Sequence, residues 1–314
     1  MSSYSMSTHV LPAIPKKFWN HAYEEHPTTM KLIEKGETLS GGTAYDPNRV
    51  YGQDGTSTWF SGSSLAAAIS SASQDTKLKK ASYGWTNVIT PITLTYDDKL
   101  KAGDSEYVRI NSLEVKKYQA TEEHMTALAT QVMQGTGSSN TPYGLQVYVT
   151  PSSTFGGVDP ATDTDWVPKT TTSATTLTGQ AQLHEEYLDA YRDGLWPDLG
   201  PTTDALFVRV CAVLGTGIQY KEKDSRNYQF GIEGIKFNKL TIYPDRDMPA
   251  SNLWMLNSSV IHLFKSSKYF MKTKTPAEPT DGANIWVSDF GYVLSSFVLA
   301  ADERWCASGW TSLS

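Results

Sequence analysis

Three pairs of closely spaced acids have residue types suited to chemistry: Asp163 with Asp165, Glu185 with Glu186, and Asp245 with Asp247. Two carboxylates so close can hold a cation or divide acid and base work between them. Their contexts favour other duties. Asp163 and Asp165 lie in a loop rich in Gly, Pro and Thr, and Asp245 and Asp247 follow a strand-like run into a turn, where aspartate commonly bonds its own backbone. Glu185 sits beside His184 on a helix-like stretch, where solvent exposure is the default. The six histidines (His9, His21, His26, His124, His184, His262) are scattered, and no HExxH or CxxC occurs. Cys211 and Cys306 stand far apart in apolar settings, the pattern of buried small hydrophobes rather than of a disulfide or a zinc site. There is no GxSxG elbow, no GxxxxGK[ST] loop and no GxGxxG; Gly215-Thr216-Gly217 lacks the third glycine and a following helix. No catalytic, metal-binding or cofactor-binding residue emerges, and none is expected.

With no reaction centre to serve, the elements must be organised for another purpose. The longest runs from Asp104 to Gly135, without proline or internal glycine, with acids at its start and a glycine at its end. Asp104 or Ser105 caps the first turn, and Gly135 suits the left-handed residue past the last. A helix of this length spans roughly 40 Å at ~1.5 Å per residue. Met125, Leu128, Val132 and Met133 fall at helical spacing, with Val108, Leu113, Val115 and Tyr118 more loosely placed before them, so one face is expected to lie along a sheet.

Before that helix the chain is extended. Residues 1 to about 30 show no helical or strand period but carry the anchors Phe18, Trp19, Tyr23 and Met30, which reads as an arm that needs another surface to lie on. Residues 37–98 are β-like: Gly41-Gly42, YDPN, Asp54-Gly55 and Thr58-Trp59-Phe60, then a Ser/Ala/Gly-rich tip, then KLKKASYGWTNVITPITLTY. Tyr83 and Trp85 share one parity and Val88, Ile92, Leu94 and Tyr96 the other, which places a bend near Thr86 and Asn87; Pro91 demotes the strand to an edge. These features describe a long hairpin leaving the body of the protein, with Trp59, Phe60, Tyr83 and Trp85 as contacts for a neighbouring copy. The Lys77, Lys79, Lys80 cluster reads as a solvated face.

Beyond the long helix, Leu145, Val147 and Val149 read as a short strand, residues 152–178 as a loop holding Phe155 and Trp166, and Gln180 to Asp193 as a helix with Leu183, Tyr187, Leu188 and Tyr191 on one side. The apolar run ALFVRVCAVLG at Ala205 to Gly215 reads as a buried strand, and IKFNKLTIYPD at Ile235 to Asp245 as an alternating one. Leu253 to Phe264, Asn284 to Phe290 and Tyr292 to Trp305 supply two or three further β segments. A net charge of −6 argues against a protein that grips nucleic acid, and no stretch is apolar enough to span a membrane or serve as a signal peptide.

Several stretches resemble tailed-phage major capsid proteins of the Hong Kong 97-type fold: IYPDRDMPA running into NLWMLNSS (Ile242 to Ser259), GGVDPATDTDW (Gly156 to Trp166), SGGTAYDPNRVYGQDGTSTWFSG (Ser40 to Gly62) and SYGWTNVITPITLT (Ser82 to Thr95). The order of elements carries as much of the resemblance as the motifs. It implies an α+β fold: an N-terminal arm (1–36), an extended β-hairpin loop (37–98), a peripheral domain (99–142 and 236–314) with a spine helix (104–134), and an axial domain (143–235). It also implies the function of an icosahedral head subunit, assembled with itself as hexamers and pentamers in the host cytoplasm and located in the virion. Portal, scaffolding and decoration proteins are the further partners, and packaged double-stranded DNA is contacted weakly. The arm has no long charged segment of the kind removed during maturation in some relatives. Two other readings stand beside this one: an encapsulin-like nanocompartment shell, which shares the architecture but encloses enzymes, and a tail carbohydrate-binding or hydrolytic protein, suggested by nine Trp and seventeen Tyr.

Overall fold

The computed structural model describes residues 22, 24–42, 44–45, 48–55, 74–102, 106–138, 140–163, 166–171, 176–191, 194–215, 234–277, 287–304 and 307–310. Phe18, Trp19, Trp59, Phe60, Asp165 and Cys306 lie outside the described residues.

The end of the arm is helical rather than extended. Helix α1 (Pro27–Lys35) opens on a proline, whose fixed φ suits the first turn, and buries Thr28, Thr29, Met30, Leu32 and Ile33. Strand β1 (Thr38–Leu39) follows, then β2 (Ala44–Tyr45) and β3 (Asn48–Gly55). Strand β4 (Gln74–Lys80) pairs antiparallel with β3, and β5 (Tyr83–Gly84) pairs with β2, so a two-stranded ribbon rises from a two-residue root. Strand β6 (Thr86–Thr95) does not belong to that ribbon. All along its length it pairs with β14 (Val287–Ala301), which places it in the main sheet.

A short helix α2 (Tyr96–Ala102) leads into α3 (Glu106–Gln134), 29 residues long. Leu113, Ala120, Thr121, His124, Met125, Leu128, Ala129, Val132 and Met133 are buried at helical spacing and form the face that meets the sheet. Val115 and Tyr118, grouped with that face in the sequence, point away from it and are exposed. Gly135 is not left-handed. The reason for glycine there is a close approach: an added Cβ would stand 2.5 Å from the carbonyl oxygens of both Gln131 and Pro142.

Two segments read as strands are helices. Leu145–Val149 forms α4, a single turn and a half, and Asp204–Leu214 forms α6. Between them come β7 (Lys169–Thr171), α5 (Gln180–Asp189) and β8 (Leu199–Thr202). On α5 Leu183 and Tyr187 are buried and Leu188 is exposed, and the helix stops at Asp189, so Tyr191 lies beyond its end and is exposed as well. The single strand expected at 235–245 is a hairpin of β9 (Ile235–Phe237) and β10 (Leu240–Pro244), turned through Asn238 at φ 54°. Then follow β11 (Leu253–Met255), β12 (Ile261–Ser266), β13 (Lys272–Ala277), β14 and β15 (Ser308–Trp310).

The strands form two principal sheets. In one, β14 is the centre: β6 runs along one edge, β12 and β13 share the other, and β1 continues beyond β12. The second has the order β7-β15-β11-β8-β10-β9. The chain therefore returns to the first sheet at β12, not at residue 236 as expected, and sends β15 back to the second. A large core lies between α3, α1 and the first sheet, and a separate one lies between the second sheet and helices α5 and α6.

Candidate functional site

Asp245 and Asp247 sit in the turn after β10, and both are buried. Asp245 accepts from the Thr28 amide at 3.0 Å and, through its other oxygen, from the Asp247 amide at 3.0 Å. Asp247 meets His26 Nδ1 at 2.5 Å and accepts from Thr130 Oγ1 at 3.4 Å, while its main-chain oxygen accepts from Gln134 Nε2 at 2.8 Å. Burial pushes the Asp245 carboxyl up, opposed by its donors on Thr28 and Asp247. The pair thus ties three elements, α1, the last turns of α3 and the second sheet, with protein groups filling its acceptor sites. Beside it Lys31 Nζ lies 4.0 Å from the centre of the Tyr243 ring, and burial lowers its ammonium to about 8. One turn on, Lys35 bridges to Asp198 at 3.3 Å and to Ser258, and Asp198 in turn accepts from the Ser258 amide at 2.7 Å.

Glu186 lies on α5 beside Glu185. It is buried and accepts from Thr171 Oγ1 at 2.7 Å, from the Ser308 hydroxyl and from the Gly309 amide at 3.1 Å, so α5 is fastened to β7 and β15. Its neighbours Glu185 and His184 are exposed, with His184 against the Phe237 ring at 4.7 Å. Asp163 stays in the loop before Trp166, accepting the Trp166 amide at 2.9 Å through its main-chain oxygen. Trp166 is fully buried and donates Nε1–H to the Phe155 carbonyl at 3.2 Å.

Two further buried groups set the body of the subunit. His124, on α3, lies between Thr90 on β6 (3.0 Å) and Ser295 on β14 (2.7 Å), and burial lowers its imidazole to about 4. Arg304 escaped the sequence reading. It is fully buried after β14 and donates to the carbonyls of Tyr148 (2.7 Å), Val147 (2.6 Å), Ser153 (2.6 Å) and Thr150, closing the C-terminal end of α4. The signal available was a lone arginine beside an apolar strand, which cannot be told from a surface charge without the fold.

Among the described residues no group of three or more His, Cys, Asp or Glu is placed to hold a metal ion. Of the residues proposed as contacts with a neighbouring copy, Tyr83 belongs to its own subunit: it is 1% exposed, donates to the Ala301 carbonyl at 3.1 Å and packs edge-on against Phe155. Ile92 and Leu94 are likewise buried in the subunit that carries them, because β6 is part of the main sheet. Trp85 is half-buried and forms one wall of a cleft of about 420 Å³ between the hairpin root and the loop after α3.

No family model matches this sequence, and no curated protein does. Solved structures do. The chain is similar to one in the Cyanophage A-1(L) capsid asymmetric unit, at 13% identity and a TM-score of 0.65, over 98% of this chain and 97% of that one. It is similar to the capsid of the native GTA particle at 9% identity and a TM-score of 0.59, over 98% and 94%. A chain from Mycobacterium phage Adephagia matches at 13% identity and a TM-score of 0.55, over 100% and 98%. With a hairpin ribbon ahead of the spine helix and two sheets that share the rest of the chain, and with these matches from end to end, the chain has the fold of the tailed-phage capsid proteins, the Hong Kong 97-type fold.

Proposed function

We propose that this chain is the major capsid protein of a tailed phage, the repeating subunit of an icosahedral head that encloses double-stranded DNA. The observation that carries the reading is agreement along nearly the whole chain, 98% of it against 97% of the cyanophage capsid chain. The chemistry is in keeping with a structural part: the acids Asp245, Asp247 and Glu186 are occupied by donors from the protein itself and join its elements. In this reading the first sheet with α3 is the peripheral domain, and the second sheet with α5 and α6 is the axial one. The β3–β4 ribbon has no other strand partner among the described residues, and two strands alone are marginal in water, so a neighbouring copy is its natural support. Trp59 and Phe60, which lie in sequence between the two ribbon strands, are the proposed contacts together with Phe18 and Trp19 of the arm. Trp85 sits at the root. Portal, scaffolding and decoration proteins are proposed partners.

The test is expression followed by sedimentation and absorbance of the heaviest fraction. Closed particles of one or a few sizes are expected, and particles from infected cells should carry the ultraviolet signature of nucleic acid. Particles filled with protein alone would move the reading to an encapsulin-like compartment. A chain that stays monomeric under every assembly condition would overturn it.

A further inference from the structure

We infer that the cleft at the hairpin root is a binding site for a neutral sugar, a pyranose of mono- or disaccharide size. Its volume of about 420 Å³ falls in the lower part of the ~300–1,000 Å³ range of small-molecule sites. Trp85, Thr86 and Asn87 line it on the side of the hairpin root, and Asn140 and Tyr143 on the side of the loop after α3. All of them carry polar groups with no hydrogen-bond partner among the described residues: the Trp85 indole N–H, the Thr86 and Tyr143 hydroxyls and the two asparagine amides. Thr86 weighs most, because it is only 8% exposed and a buried hydroxyl without a partner is costly until something from outside bonds it. The walls are held in place before any ligand arrives. Trp85 and Tyr143 both pack against the main core, and the Tyr143 ring lies edge-on to Phe155 at 5.5 Å. Thr136 Oγ1 bonds Ser138 Oγ at 2.9 Å and Thr141 Oγ1 at 3.2 Å, and Gly137, at φ +72°, lies where any Cβ would collide with the Tyr143 ring. Such pre-organisation lowers the entropy lost on binding.

The lining selects the class of ligand. No Asp, Glu, Lys, Arg or His belongs to it, so an ionic ligand would lose its hydration without meeting a counter-charge. A purely apolar ligand would strand the unpaired amides and hydroxyls. What fits is a neutral molecule whose polar groups both donate and accept, as amides and hydroxyls themselves do, and which also has an apolar face. A pyranose ring has both: hydroxyls around its edge, and a C–H face that lies on a Trp or Tyr ring. A peptide strand is served less well, because on the loop side the amides of Gly137, Thr141 and Gly144 are already bonded to carbonyls of the loop and of α3's end, and no free backbone edge is left there to extend. The carbohydrate reading suggested by nine Trp and seventeen Tyr thus has one place to stand, as a property added to a shell subunit. The inference concerns the single subunit and does not depend on shell assembly.

The test is saturation-transfer NMR with tryptophan fluorescence on the dissociated full-length subunit. The probes are glucose, N-acetylglucosamine, maltose and lactose, with glucuronate as the charged comparison and N-acetyl-trialanine amide as the peptide one. Saturable binding of at least one neutral sugar with a Kd in the ~mM range is expected, as for a small open site. Glucuronate and the peptide should bind at least fivefold more weakly. Trp85→Ala, and Asn87→Ala with Asn140→Ala, should each weaken the sugar at least fivefold and Trp85→Phe less, while Tyr191→Ala, at an exposed aromatic outside the cleft, should leave it unchanged. No saturation by any neutral sugar, affinity that survives both Trp85→Ala and the asparagine pair, or glucuronate or peptide binding as tight as the sugar's would each overturn the inference. Should Trp85→Ala fail to fold by circular dichroism, Asn140→Ala alone decides, since that side chain is exposed on the loop, and an unchanged Kd there would count against the site.

Discussion

Replacing Arg304 by alanine is expected to destabilise the isolated subunit more than any surface change. The side chain donates to four carbonyls, those of Val147, Tyr148, Thr150 and Ser153, and its guanidinium lies 5.7 Å from the centre of the Phe155 ring. A buried acceptor left without a donor costs about 1–3 kcal/mol. Taking the lower figure for each carbonyl, because a cavity of that size admits some water, gives about 4 kcal/mol, against a total stability of roughly 5–15 kcal/mol for a typical domain. Burial lowers the Arg304 guanidinium to about 10, so it remains charged at neutral pH and its bonds stay charge-assisted. Arg304→Lys keeps the charge but puts its donors on one atom, which cannot span the four carbonyls, so about half the loss is expected to remain. Urea unfolding of the dissociated subunit, followed by circular dichroism, reads both values. A loss below ~1 kcal/mol for Arg304→Ala, the level of an ordinary surface substitution, would refute the claim that this residue closes the end of α4.

Other perturbations probe other parts of the molecule. His124 is held well below its ordinary 6.5, at about 4, so the unfolded chain binds the extra proton first as pH falls. Stability should therefore be full above pH ~6.5 and decline by roughly 3 kcal/mol towards pH 4, and His124→Gln should flatten that slope in a series of urea midpoints; an unchanged slope would count against it. Gly135→Ala drives a Cβ against two carbonyl oxygens and should destabilise by about 2–4 kcal/mol, measured as a lowered thermal midpoint. Trp59→Ala should leave the circular dichroism of the subunit unchanged while lowering the dissociation temperature of particles; unchanged particle stability would remove the ribbon as an intersubunit strap. Dissociated subunits, at net charge −6, should bind duplex DNA more weakly than micromolar at near-physiological salt, and steeply salt-dependent binding below micromolar would contradict that.

What the sequence made legible was whatever depends on long or strongly punctuated stretches. The spine helix announces itself through 29 residues without a breaker, and the ribbon through paired turn signals around a Ser/Gly-rich tip. Misreadings fell where local pattern and tertiary placement part. On α6 the outward positions Ala205, Val208 and Ala212 are as apolar as the inward Leu206 and Val210, so no helical stripe separates them and the run reads as a buried strand. For α4, five residues rich in Val and Tyr are too short for any period to show. Strand β6 reads as part of the hairpin because it continues the same extended run in sequence; its pairing with β14, about two hundred residues later, is a long-range fact. The same limit hid the buried partners: nothing near Glu186 in sequence announces Ser308, and nothing near Asp247 announces His26.

The central claim is that copies of this chain close into a shell through arm and ribbon. Electron cryomicroscopy of purified particles, carried to a resolution that traces the chain, tests it most directly. The account predicts five- and six-fold capsomers built from this subunit alone, with α3 along the first sheet and each β3–β4 ribbon lying on an adjacent copy. A discrete small oligomer, or a shell whose ribbons contact only their own subunit, would contradict it.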